Sequence, residues 1–227
     1  KEAFFAKAKK IRRANVMRRE PVQGSSQAIF PHTGSPKALV ILAEYQDKKF
    51  SIKDPKRSFN QYLNKEEGKQ EEFGYRESKN YGSVRQYFSE MSNGQFTPQF
   101  DIVGPVTLPE DMTYYGGTSS KGNDERTAQM VVDACELVKD SVDFSLYDSN
   151  NDGYVDLVYV IYAGYGQSMG AANNTVWPQA TYVRSQAEYN GKKIYRAGVN
   201  NELIGNENTF NGEPAITGLG LFIHEFS

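Results

Sequence analysis

Cysteine is nearly missing from these 227 residues. Cys135 stands alone, so no disulfide can form within the chain and a fold stapled by bridges is excluded. A cytosolic protein and an exported bacterial protein that does without disulfides both remain. Long apolar runs are missing too. None approaches the about 18 residues of a bilayer crossing, so no membrane span is expected. Charge of one sign is also scarce: 26 Lys and Arg stand against 28 Asp and Glu, which gives no global reason to expect a nucleic-acid partner. No internal repeat or low-complexity tract is present. What is there is an ordinary globular composition, 38% hydrophobic and 24% charged, at a length that can bury a substantial core. Tyr (15) and Phe (13) are abundant beside a single Trp, which suits β-rich structure and a surface that grips extended ligands. A monomer is expected.

The chain divides near residue 36. Residues 1–20 carry eight Lys or Arg and two acids, with Phe4, Ala8 and Ile11 at helical spacing, and a short basic helix is predicted. It reads as a solvated helix or the end of a pro-segment rather than as a surface for an acidic partner. Residues 21–36 are rich in Pro, Gly and Ser and read as a linker, with His32 an exposed loop residue. A pro-like segment over 1–36 and a folded domain over 37–227 are therefore expected, the former acting to inhibit or chaperone the latter. The first residue is not Met and no signal peptide is visible, so an earlier targeting segment is expected to have been removed.

Within 37–227, the continuous aliphatic run ALVILA at 38–43 predicts a strand covered on both faces, and LVYVIYA at 157–163 predicts a second. A helix is predicted over 55–63, followed by an exposed polar insertion at 64–72. Another is predicted over 83–91, where Val84, Tyr87, Phe88 and Met91 would make one apolar face and Asn93-Gly94 would end it. Residues 96–108 alternate as a strand broken at Gly104-Pro105. The clearest helix is 123–139, with Asn123 as cap, Asp124 and Glu125 in the first turn, and a buried stripe of Ala128, Val131, Val132, Cys135 and Val138. Cys135 is on this reading a small core residue. Residues 164–174 form a Gly-rich loop, and Asn190-Gly191 inside 182–196 signals a hairpin. Buried strands alternating with helices make a mixed α/β (α+β) domain.

Two stretches carry chemistry. Asp148, Asn150, Asp152 and Asp156 fall at positions 1, 3, 5 and 9 of a calcium loop of EF-hand type, with Gly153 at the sharp turn and the Tyr154 carbonyl at position 7. The match then departs, since position 12 is Tyr159 inside the predicted strand. Structural calcium is one reading; an Asx-rich turn whose side chains bond their own backbone is the other. Near the end, 215–227 reads AITGLGLFIHEFS, an apolar helix-length run carrying His224-Glu225. A neutral imidazole that binds zinc and an adjacent carboxylate that takes a proton from water are half of the H-E-x-x-H motif. By itself the dipeptide is weak, and a His near a helix end is more often structural.

The ordered set of these pieces resembles the immune inhibitor A family of secreted bacterial zinc metallopeptidases. The likeness runs through Glu44-Tyr45-Gln46-Asp47, Tyr87-Phe88 leading to Ser92-Asn93-Gly94-Gln95-Phe96, Gly104-Pro105, DSNNDGYVDLVYVIYAGYG, Trp177-Pro178 and GLGLFIHEFS, and covers about 37–227. The resemblance implies a zincin-like twisted mixed sheet with a backing helix and an active-site helix. It implies a secreted, periplasmic or cell-surface zinc endopeptidase acting on protein or peptide substrates. His224 is then the first zinc ligand and Glu225 the general base, with the second and third ligands beyond Ser227, so that these residues alone would be inactive. Gly218 and Gly220 are expected to let the helix approach the sheet, with Ile216, Leu219 and Ile223 facing the core and His224 a cleft. A strand over 176–183 is the candidate edge for aligning a peptide. The competing reading is a non-enzymatic calcium-binding or adhesive exported domain with His224 in its core; a lyase or amidase on another metal scaffold is a weaker third.

Overall fold

Six consecutive aliphatic residues leave no polar face, and in the computed structural model 38–43 are buried on both sides as part of β1 (Lys37–Glu44). The structure describes residues 29–66, 80–117, 124 and 126–227. The expected basic helix over 1–20, the first half of the linker, most of the insertion after Asn64, and both Asn123 and Glu125 lie outside the described residues. The linker's last residues lie against the domain: Phe30 packs edge-on to Phe226 at 4.9 Å, and the Gly34 amide donates to the Gln95 carbonyl. His32 is exposed.

After β1 come β2 (Gln99–Thr107), β3 (Val158–Tyr165) and β4 (Gln179–Tyr182). The Asn190-Gly191 turn joins β5 (Glu188–Tyr189) to β6 (Lys192–Lys193), and β7 (Arg196–Leu203) follows. A five-stranded sheet runs β2-β1-β3-β7-β4, its first four strands parallel and β4 antiparallel at the edge. The strand expected at 176–183 is thus β4, three residues shorter at its start and one at its end. Gly104-Pro105 does not break β2. A bulge takes it up, because the register slips between Ile41↔Val103 and Ala43↔Val106, with Gly104 at φ +95°.

The helices are α1 (Pro55–Asn64), α2 (Val84–Met91), α3 (Met112–Tyr115), α4 (Thr127–Val138) and α5 (Leu219–Phe226). Side chains alternate across the strands, so each half of the sheet's residues meets a different layer. Leu39, Ile41, Val158, Val160 and Val199 face α4, whose Met130, Val131, Ala134, Cys135 and Val138 are buried. Ala38, Val40, Leu42, Tyr159 and Ile161 face Phe59, Tyr62 and Leu63 of α1 and Phe222 of α5. Cys135 is a fully buried core residue whose thiol burial pushes well above its ordinary value.

Two helix expectations are corrected. The long helix begins at Thr127, not at 123, because Asp124 is used elsewhere: its carboxylate accepts the Trp177 amide at 2.5 Å, tying the chain before α4 to the approach of β4. On α2 only Val84 is fully buried; Phe88 turns inward against Phe96 and Phe226, while Met91 is 70% exposed and Tyr87 40%.

Candidate active site

An eight-residue helix is marginal in isolation, so α5 holds its place through its neighbours. Phe222 is its anchor. It is fully buried, stacked on Tyr159 of β3 at 4.0 Å and edge-on to Phe100 and Tyr62 at 5.4 and 6.3 Å. Phe226, one turn later, packs on Phe30, Phe88 and Phe100. The expected inward face of Ile216, Leu219 and Ile223 does pack against the core, each residue partly buried as Phe226 is, while Phe222 alone on the helix is fully buried and Ile216 precedes it, bridged to Leu203. The expected role of Gly218 and Gly220 is overturned, since a Cβ at either would meet open space. The glycine that permits close approach is Gly198 on β7, where a Cβ would lie 2.4 Å from the Tyr159 ring. That absence of a side chain lets Tyr159 lie across β7 beneath α5.

The start of α5 is capped from a distance. Asn80 accepts the Leu219 amide at 3.1 Å and donates to the Thr217 carbonyl at 3.0 Å, while the Tyr62 hydroxyl donates to the Gly218 carbonyl at 3.0 Å. These contacts satisfy groups that a helix end leaves open. No local pattern announces them, because Asn80 and its partners are 137 and 139 residues apart.

With the helix so held, His224 is exposed and Glu225 half-buried beside it. Burial raises the Glu225 carboxyl above its ordinary range, opposed by His224 and by the backbone amide of Ala180 on β4. The acid therefore sits against the edge strand, and the imidazole stands next to it in the open. Among the described residues no three His, Cys, Asp or Glu side chains are grouped to hold a metal ion.

The acidic loop lies elsewhere, just before β3. Its backbone is zipped to β6, with the Val155 amide donating to the Lys193 carbonyl and the Lys193 amide to the Gly153 carbonyl, each at 2.9 Å. This brings Lys192 onto the fully buried Asp148 carboxylate at 2.7 Å. Burial would raise Asp148, but Lys192 and the Gly153 and Asp152 amides outweigh it and hold the carboxyl below its ordinary value. Asn150 accepts the Asp152 amide, and Asp152 accepts the Tyr154 amide. Asp156 is buried; one oxygen accepts the Ser149 amide and the other has no partner. Burial first, and then Asp148 and Asp152, raise its carboxyl. The sequence reading missed Lys192, which only the hairpin places there.

One further buried acid went unread. Glu202 at the end of β7 is fully buried and accepts the amides of Ser51, Ile52 and Gly164 at 2.7, 2.7 and 2.8 Å. Burial pushes its carboxyl up to about 7 despite those donors and Lys48.

Comparison with known proteins adds the kinship. The profile of the immune inhibitor A peptidase M6 catalytic domain matches residues 30–227. The chain is 27% identical over 169 residues to "Immune inhibitor A" of Bacillus thuringiensis subsp. alesti, an alignment covering 62% of this chain and 25% of that protein. The chain thus matches about a quarter of the length of that curated relative.

Proposed function

The chain belongs to the immune inhibitor A family of M6 peptidases, within its catalytic domain, and from that premise we propose that it is part of an exported zinc-dependent endopeptidase hydrolysing peptide bonds of protein substrates. The observation that carries the reading is the placement of one pair of side chains: α5 sets the half-buried Glu225 against the amide of Ala180 on the edge strand, with the exposed His224 beside it. His224 would be one zinc ligand, completed by donors outside the described residues. Zinc held there would supply Lewis acidity to the attacking water and the scissile carbonyl. Glu225 would take a proton from that water and deliver it to the leaving amine. The free edge of β4 would align an extended peptide by strand addition, and Asn80 and Tyr62 would keep α5 in register beneath it.

Calcium is the proposed ligand of the loop formed by Asp148, Asn150, Asp152, the Tyr154 carbonyl and Asp156. Support comes from the donor set and from the buried, unpartnered oxygen of Asp156. Lys192 pairs with Asp148 at 2.7 Å, and calcium would have to displace it and draw Asp152 and Asp156 closer, since no three such side chains are grouped there now. Its part would be to brace the entry to β3.

The enzymatic reading is tested in the complete protein with Glu225→Ala. Hydrolysis of denatured protein substrates should fall at least about 100-fold, while about one tightly held zinc per chain and the melting temperature are kept. Turnover near the original rate, or a purified protein without zinc, would sink it.

A further inference from the structure

On the face of the sheet that carries α5, one cation has no counter-charge. In the antiparallel pair of β4 and β7, Ala180 stands opposite Gly198 and Tyr182 opposite Arg196. Residues directly opposite in such a pair share a face, as do alternate residues along each strand. Ala180, Tyr182, Gly198 and Arg196 therefore lie on one face, and it is the face of α5, because the Tyr159 ring stacked on Phe222 also lies over Gly198. Arg196 is half-buried. Its guanidinium lies 6.0 Å from the centre of the Tyr182 ring, and that ring is 5.2 Å from Tyr195. Both tyrosines are more than a third exposed. Among the described residues no carboxylate pairs with Arg196, and its buried Nε has no acceptor. A buried donor without an acceptor is costly in a folded chain, and a carboxylate is the group whose two oxygens match the guanidinium's fork.

The position gives that donor a use. Ala180, the β4 residue beside Glu225, and Tyr182 are two residues apart on a strand, about 7 Å. A peptide laid along the outer edge of β4, which no described strand covers, would run two strand spacings, about 10 Å, from the backbone of Arg196. With its scissile bond at Glu225, the side chain two residues farther along on the same face is within the combined reach of an arginine and a glutamate side chain lying over Tyr182. We propose that Arg196, framed by Tyr182 and Tyr195, is the subsite that receives an acidic side chain of the substrate two residues from the one at the bond cleaved. The inference rests on the peptidase reading above and adds a preference to it. The tyrosine rings flank the carboxylate's aliphatic stem and limit its hydration, which strengthens the ion pair.

The test uses the complete enzyme and quenched fluorescent peptides in which a single Glu or its uncharged isostere Gln is scanned through three positions on each side of the bond. At one of the positions two residues removed, kcat/KM for Glu should exceed that for Gln by at least about tenfold, the size of one charge-assisted hydrogen bond. Added salt should shrink that ratio. In Arg196→Gln the ratio should fall to about one, and Arg196→Lys should keep part of it; being taken within each variant, the ratio does not depend on how much of a variant folds. A ratio near one at every position in the original enzyme, or an unchanged ratio in Arg196→Gln, overturns the subsite while leaving the peptidase reading intact. Failure to cleave any peptide overturns both.

Discussion

At the scale of single residues, the side chains that matter most are polar groups in apolar surroundings. Glu202 is the clearest, a fully buried carboxyl raised to about 7. Its folded value lies above the unfolded one, so between about 4.5 and about 7 the folded protein holds a proton that the unfolded chain has released. The stability it contributes is then fully present below the unfolded value and is lost as pH rises through about 7. Over that window the loss should amount to roughly 3 kcal/mol, at about 1.4 kcal/mol per pH unit. Urea unfolding at pH 5, 6, 7 and 8 should show this as a slope in the stability difference between the original protein and Glu202→Gln; parallel curves would refute it. None of this was legible beforehand. Glu202 sits in the run RAGVNNEL, whose letters do not say that the Ser51, Ile52 and Gly164 amides converge on it. Cys135 was legible, since a lone small residue on the inner stripe of an amphipathic helix has nowhere to go but the core.

At the scale of elements, α5 shows how a weak helix becomes a rigid platform. Its Phe222 and Phe226 supply the packing, and Asn80 supplies the cap that its own Gly218 cannot. Asn80→Ala removes one acceptor and one donor together, and should cost about 1–2 kcal/mol, seen as a lower denaturant midpoint with unchanged slope. Asn80→Asp keeps the acceptor for the Leu219 amide and should recover part of the loss; equal stability of all three proteins would show that the helix needs no such cap. The acidic loop makes the complementary case. Calcium at 100 times its dissociation constant should stabilise the domain by about 2.7 kcal/mol, raising the melting temperature reversibly on addition and removal with chelator. Asp156→Asn should weaken that response and Lys192→Gln should strengthen it, by freeing Asp148. A melting temperature indifferent to calcium would leave the loop as a self-bonded Asx turn.

At the scale of the whole molecule, the architecture is one sheet with an unequal pair of edges. The edge at β2 is parallel and lends Phe100 to the packing of α5, while the short antiparallel β4 borders Glu225 and Arg196, so the proposed chemistry and the proposed preference share one rim. The sequence by itself determined the two buried strands, the hairpin at Asn190-Gly191, the core role of Cys135 and the pairing of His224 with Glu225. Those depend on neighbours within a few positions: the period of apolar residues, the backbone freedom of Asn-Gly, and adjacency in the chain. The start of α4 was misjudged because Asp124, a good first-turn acid by local rules, is claimed by the distant Trp177 amide. Gly218 and Gly220 were given a role that belongs to Gly198, since which glycine lies under a ring depends on strand pairing and not on spacing. Only the tertiary structure decided that Asn80 caps α5, that Lys192 neutralises Asp148, that three amides enclose Glu202 and that, among the described residues, Arg196 has no carboxylate partner. Each joins residues far apart in the chain, and the energy that brings them together is the burial of the two apolar faces of the sheet, which the local sequence can foretell in kind but not in register.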